Sequence, residues 1–130
     1  MSKSEADKKT TTTILVVQPE VLVRAAVADY LRECGFRVME SSSADEARRL
    51  IDDGAVIDIL FSEVELPGEE RGFELARWIR EANPAVRIML AAGSSSMAKK
   101  ASDACDNESV LTKPFSHQQL ERQIRALLAR

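Results

Sequence analysis

Few of the residues in this chain that can do chemistry are spaced to do it. Cys34 and Cys105 stand far apart and match no metal-binding or disulfide-exchange spacing. Both fall in apolar helical patterns, which predicts buried free thiols. His117, the only histidine, falls in the first turn of the last helical pattern, where a surface position is expected. Ser94-Ser95-Ser96 lacks the Gly-Lys-Ser/Thr continuation of a phosphate loop, and the sequence offers no nucleophile–base pair. What remains is a set of polar and charged residues immediately after apolar runs. These are Gln18-Pro19-Glu20, then Ser62-Glu63-Val64-Glu65-Leu66-Pro67-Gly68, then Ala91-Ala92-Gly93, then Leu111-Thr112-Lys113-Pro114-Phe115. They form one site only if the elements that carry them end side by side.

The hydrophobic pattern predicts that they do. Ile14 to Val17 is apolar on both faces, as a central parallel strand is. A helical stripe of Val23, Val27, Tyr30, Leu31 and Cys34 follows and stops at Gly35. Phe36 to Glu40 alternates as a short strand. Ser43 with Glu46 is a capping box, opening a helix that turns Ala47, Leu50 and Ile51 inward and ends near Gly54. Ile57 to Phe61 reads as the third strand. Gly72 to Ala82 reads as the third helix, with Leu75, Ala76 and Ile79 on one face and Asn83-Pro84 ending it. Val86 to Ala92 is the fourth strand, a thin stripe of Met97, Ala101, Ala104 and Cys105 the fourth helix, and Ser109 to Thr112 the fifth strand. The last helix has its own capping box, Ser116 with Gln119, a staple of Phe115 on Leu120, and a stripe of Leu120, Ile124, Leu127 and Leu128. Strict strand–helix alternation implies an α/β parallel sheet with helices on both faces. In such sheets sites lie at the carboxyl ends of the strands.

The totals exclude several classes. The 130 residues suit one domain, with 1–13 a polar flexible tail and 14–130 the folded unit. A net charge of −3 without a basic cluster argues against a nucleic-acid partner or an anionic membrane. No apolar run spans a bilayer or resembles a signal peptide, so a cytoplasmic protein is expected. Phe73 and Trp78 are expected to be partly buried against the sheet, and Arg48-Arg49 and Lys99-Lys100 to form solvated faces.

In this order and spacing, the four strand-end segments resemble the receiver domain of two-component response regulators, over about Ile14 to Ala129. Leu111-Thr112-Lys113-Pro114-Phe115, and Pro67-Gly68 followed by Gly72-Phe73-Glu74-Leu75-Ala76, carry most of the likeness. The resemblance implies a flavodoxin-like three-layer sandwich, with a five-stranded parallel sheet in the order 2-1-3-4-5 and five helices. It also implies a phosphoryl pocket. An aspartate accepts the phosphoryl group and an acidic pair holds Mg²⁺. A lysine and a Ser or Thr stabilise the transferring oxygens, and an aromatic on strand five reports the switch. Here the acceptor position holds Glu63, the acidic pair aligns with Gln18 and Pro19, and the aromatic position holds Val110. The hydroxyl position holds Ala91, or Ala92 if the alignment slips by one. Lys113 with Pro114 is the match. Ser62 and Thr112 flank the pocket and are expected to point away from it. The loop before Gly72 is one residue longer than the commonest form.

These departures imply a stand-alone pseudo-receiver: a protein-interaction module, not an enzyme, not controlled by aspartyl phosphorylation and with no output domain after the last helix. Glu63 and Lys113 are expected to pair, either as a mimic of the phosphorylated state or as the neutral remnant of a dead pocket. Glu20, Glu63 and Glu65 are the candidate metal ligands, but with Lys113 present and the acidic pair gone no Mg²⁺ is expected. The resemblance places the partner surface on helix four, strand five and helix five, including Lys99, Lys100, Asp103, Arg122 and Arg125. It would serve a histidine kinase, a downstream effector or a second copy of the chain. Two rival readings stand beside this one: a receiver still accepting phosphate by an altered route, and a flavodoxin-like enzyme or cofactor binder.

Overall fold

A computed structural model describes residues 11–68, 70–105 and 109–130, with the side chains of 103–105 excluded. Five short runs pair into one parallel sheet: β1 (Thr13–Val17), β2 (Arg37–Ser41), β3 (Ile59–Glu63), β4 (Arg87–Ala92) and β5 (Ser109–Thr112). Their order is β2-β1-β3-β4-β5, as expected. The helices between them are α1 (Val21–Glu33), α2 (Ala44–Asp52), α3 (Gly72–Ala82), α4 (Ser95–Cys105) and α5 (His117–Leu128). The architecture is the flavodoxin-like one, three layers deep.

Strand alternation divides the core in two. Ile14 and Val16 of β1, Ile59 and Phe61 of β3, and Met89 and Ala91 of β4 pack with α1 and α5 through Val27, Leu31, Leu120 and Ile124. Leu15, Val17, Leu60, Ile88, Leu90 and Ala92 face the other way and pack with α2, α3 and α4 through Ala47, Leu75, Ile79 and Ala101. β1, β3 and β4 are covered on both faces, which is why their runs are almost wholly apolar.

The helix ends follow local chemistry. At α5 both arms of the capping box form: Ser116 N–H donates to Gln119 Oε1 at 2.7 Å and Gln119 N–H to Ser116 Oγ at 3.0 Å. At α2 only half of the expected box forms. Glu46 N–H donates to Ser43 Oγ at 3.2 Å, but the Glu46 carboxylate takes the Ser42 N–H at 2.8 Å, one residue further back. Gly35 ends α1 at φ +98°, a conformation glycine enters freely, and lets Phe36 N–H return to Leu31 O at 3.1 Å.

Several expectations are corrected. β3 runs from Ile59 to Glu63, not from Ile57 to Phe61. Asp58 leads into the strand, its N–H donating to Thr13 O at 2.9 Å while its Oδ2 accepts from Thr13 N–H at 2.8 Å. At the other end, buried Ser62 and Glu63 continue the strand although both are polar. β1 starts at Thr13, which pairs with Arg37; β2 and β4 each start one residue later than expected. Val23 is 41% exposed, not part of the buried stripe of α1, which begins at Val27. The tail expected over 1–13 falls outside the described residues up to Thr10.

Candidate functional site

The carboxyl ends of β1, β3 and β5 converge on the face shared with α1 and α5. Alternation puts Glu63 on the same face as Ile59 and Phe61, and Ser62 on the opposite one. The Ser62 hydroxyl is satisfied locally, donating to the Glu63 carbonyl at 2.9 Å. Register then decides which alanine holds the hydroxyl position. Glu63 pairs with Ala91, and Ala91 belongs to the α1–α5 core, whereas Ala92 packs on the far face. A methyl group therefore stands beside Glu63. Lys113 reaches the site because its N–H is fixed to Ala92 O at 2.8 Å. Its ammonium donates to Glu63 Oε1 at 2.6 Å. The Glu63 side chain is 11% exposed and that of Lys113 40%, so the carboxylate is the buried member of the pair. The Lys113–Pro114 peptide is cis.

Gln18 completes the floor. It is buried, its N–H donates to Ser41 O at 3.0 Å, and its Oε1 accepts from Glu20 N–H at 3.0 Å. Its carbonyl oxygen accepts from the Arg24 guanidinium at 2.8 Å. Pro19 follows, half-buried, and leads into α1. Together Gln18, Glu63, Lys113 and Pro114 line one cavity of about 310 Å³, with Val16, Val23, Val27, Phe61, Phe115 and His117. The apolar lining was legible in part: alternation from Glu63 predicts Phe61 on its face, and likewise Val16 from Gln18. Gly72 was missed as a site residue. Its N–H donates to Val64 O at 2.8 Å, and a Cβ there would collide with the Glu63 carbonyl.

Other residues fall elsewhere. Glu20 and Glu65 are exposed and do not line the cavity. Among the described residues no three His, Cys, Asp or Glu side chains gather in metal-binding geometry. Val110 packs on the α4 side of the sheet, not in the Glu63 pocket. Lys99, Lys100 and Arg122 are exposed, and the Asp103 side chain lies outside the described residues. Arg125 is exposed as well, and it also reaches α1, donating to Cys34 O at 3.2 Å and lying 5.0 Å over the Phe36 ring. Arg48 is not free on a solvated face. Its Nε donates to the Glu70 carboxylate at 2.8 Å and its guanidinium lies 4.5 Å over Trp78. Cys34 is half-buried rather than buried, and burial pushes its thiol up, away from reactivity. Cys105 lies outside the described side chains.

His117 is not simply exposed. Its ring stands 5.1 Å from that of Tyr30, across the α1–α5 seam. Tyr30 OH donates to Glu121 Oε1 at 2.9 Å. That hydrogen bond first, then burial, push the phenol from 10.0 up to about 12. The same contact, joined by Arg125 Nε at 3.0 Å, holds Glu121 below its ordinary value. The phenol's folded value lies above its unfolded one, so its share of stability is whole below pH 10 and lost between about 10 and 12. Glu121 behaves oppositely, its contribution holding at neutral pH and fading with acid. Tyr30 is the only tyrosine, so phenolate absorbance reads it without ambiguity. The native midpoint is expected near 12, falling toward 10 in Glu121→Gln; a native midpoint near 10 would refute the contact.

The fold and pocket define an open α/β sheet with a carboxylate–lysine pair at its carboxyl edge. Residues 14–125 match the family model of the response regulator receiver domain. The chain belongs to that family, the receiving module of two-component signalling. Transcriptional regulatory protein GltR of Pseudomonas aeruginosa is 36% identical over 121 residues, covering 90% of this chain and 49% of GltR. Transcriptional regulatory protein ResD of Bacillus subtilis is 30% identical over 126 residues, covering 95% of this chain and 51% of ResD. The chain thus spans about half the length of these curated relatives. A response regulator receiver protein from Sinorhizobium medicae superposes with a TM-score of 0.84 at 27% identity, over 93% of this chain and 97% of that one. Chemotaxis response regulator CheY4 of Vibrio cholerae gives 0.79 at 23% identity, over 91% and 99%, a likeness of fold alone. No helix among the described residues is long and apolar enough to cross a membrane.

Proposed function

We propose that this receiver domain is a cytoplasmic protein-interaction module whose state is not set by aspartyl phosphorylation. The observation that carries the reading is the 2.6 Å contact between Lys113 and Glu63, in a pocket with Gln18 and Pro19 in place of an acidic pair and Ala91 in place of a hydroxyl. Glu63 uses the lysine that would otherwise neutralise an incoming phosphoryl group. The donor set does not fit Mg²⁺, a hard ion that wants several carboxylate or carbonyl oxygens. Among the described residues lining the cavity Glu63 is the one carboxylate, and it is already neutralised. Losing even one transition-state donor costs about 10²–10³ in rate, and here the hydroxyl and the metal ligands are replaced together. The exposed Lys99, Lys100 and Arg122 on α4 and α5 are the residues we assign to a partner surface, for a histidine kinase, an effector or a second copy.

Incubation with labelled acetyl phosphate and Mg²⁺ tests this. No label is expected on the wild type, under conditions that label an aspartate-bearing receiver run alongside. Stoichiometric, acid-stable label on the wild-type chain would overturn the reading in favour of a phosphate-accepting receiver.

A further inference from the structure

On one side the sheet ends at β2, whose outer edge pairs with no strand among the described residues. Such an edge is a template for a further strand unless something covers it. The ladder to β1 fixes which backbone groups point outward. Arg37 N–H donates to Thr12 O, and Gln18 N–H donates to Ser41 O, so residues 37, 39 and 41 turn their peptide groups toward β1. The peptide groups of Val38 and Glu40 and the Ser42 N–H therefore turn away from the sheet.

Side chains from two helices meet this row at both ends. From α1, the Arg32 guanidinium donates to Val38 O at 3.0 Å and to the Glu40 carboxylate at 3.1 Å. From α2, the Glu46 carboxylate accepts from Ser42 N–H at 2.8 Å. The incomplete capping box of α2 has its explanation here. Glu46 serves the outward group at Ser42, and the Ser43 N–H goes to Ser41 Oγ at 3.4 Å instead. Beside the Arg32 contact lies a cleft of about 510 Å³, lined by Phe36, Val38, Met39 and Val56 among others. Val56 is 78% exposed. An added strand would thus meet hydrogen-bonding groups and apolar surface together.

We propose that the β2 edge is a self-association surface, held shut by Arg32 and Glu46 against the β2 strand of a second copy of this chain. The edge itself selects that partner. It offers main-chain groups over a few residues, which recognise a strand but no particular sequence, and a second copy presents the same row. Two such edges meet antiparallel about a twofold axis. A register centred on Met39 sets Val38 of one copy across from Glu40 of the other, so that their outward N–H and carbonyl groups are exchanged. An arriving strand needs Val38 O, which Arg32 occupies, and must pass Glu46 at Ser42. This surface lies at the opposite edge of the sheet from β5, away from the α4 and α5 residues assigned above to a partner.

The full chain is compared with the double variant Arg32→Ala, Glu46→Ala by sedimentation equilibrium and by amide hydrogen exchange in dilute and concentrated solution. Both side chains are exposed, so the variant is expected to keep the native fold. Its mass is expected to rise from that of one chain toward that of two between roughly 10 µM and 1 mM. Exchange at its Val38 and Glu40 amides is expected to slow about ten-fold or more over that range. In the wild type these two amides are expected to exchange equally fast at both concentrations. Arg32→Lys with Glu46→Gln keeps a donor and an acceptor in place and is expected to behave as the wild type. Arg32→Ala alone frees Val38 O and is expected to show the same slowing to a smaller degree. Association through α4 and α5 would leave both amides unchanged, so the place of the slowing identifies the surface. The proposal is overturned if the folded alanine variants show no concentration-dependent slowing at Val38 and Glu40. Equal slowing in the wild type, or in Arg32→Lys with Glu46→Gln, overturns it as well.

Discussion

Replacing Gly72 by alanine is expected to destabilise the protein by about 3–5 kcal/mol, a loss at the upper end for a single substitution. Alanine is the better helix former by about 1 kcal/mol, so propensity alone predicts a gain at the first residue of α3. Close approach decides otherwise. An added Cβ would overlap the Glu63 carbonyl oxygen and stand 2.9 Å from its carbon and 3.0 Å from Val64 Cα. All three are backbone atoms, and β3 is held by ladders to β1 and β4 on either side, so it cannot retreat. The helix would have to move instead, lifting Leu75, Ala76 and Ile79 from the core. Thermal unfolding is the check: a Tm lower by roughly 10 °C or more is expected. A neutral or higher Tm would mean that α3 slides on the sheet without cost.

The second large effect is at Lys113. Breaking a buried ion pair costs about 3–5 kcal/mol, but the lysine side chain is 40% exposed and water can replace part of it. Lys113→Ala is therefore expected to cost about 1–3 kcal/mol, because the deeply placed Glu63 carboxylate loses its counter-charge. Lys113→Ala combined with Glu63→Gln removes the charge and its need for a partner, and is expected to recover most of the loss. Denaturant midpoints of the two single variants and the double variant measure the coupling. A double variant as unstable as Lys113→Ala would show that the pair acts through packing and not through charge.

Much of this was legible because the strands are buried on both faces and the turns use strong signals. Ser116 with Gln119 and Gly35 announced their helix ends through local chemistry. The Glu63–Lys113 contact followed from two strand ends that a parallel sheet brings together. The failures have a common cause, which is that tertiary partners override local pattern. Val23 reads as a core residue by period, but it overhangs a cavity. Arg48 reads as solvated, yet it lies over the Trp78 ring, which sequence spacing cannot pair with it. Val110 was grouped with the pocket by motif, and strand alternation alone would have separated it from Lys113. Gly72 carried its signal only as a motif residue, since the need for its missing side chain arises from a strand carbonyl in the fold.

The division of the core by the sheet has an optical consequence. The single tyrosine lies in the seam of α1 and α5, and the single tryptophan packs with α2 and α3 on the other side. Each half of the molecule thus carries one native chromophore. Tyrosine absorbance reports on the layer that holds the Glu63 cavity, and tryptophan emission on the layer behind it. Loosening of either layer can be followed separately in the unlabelled protein.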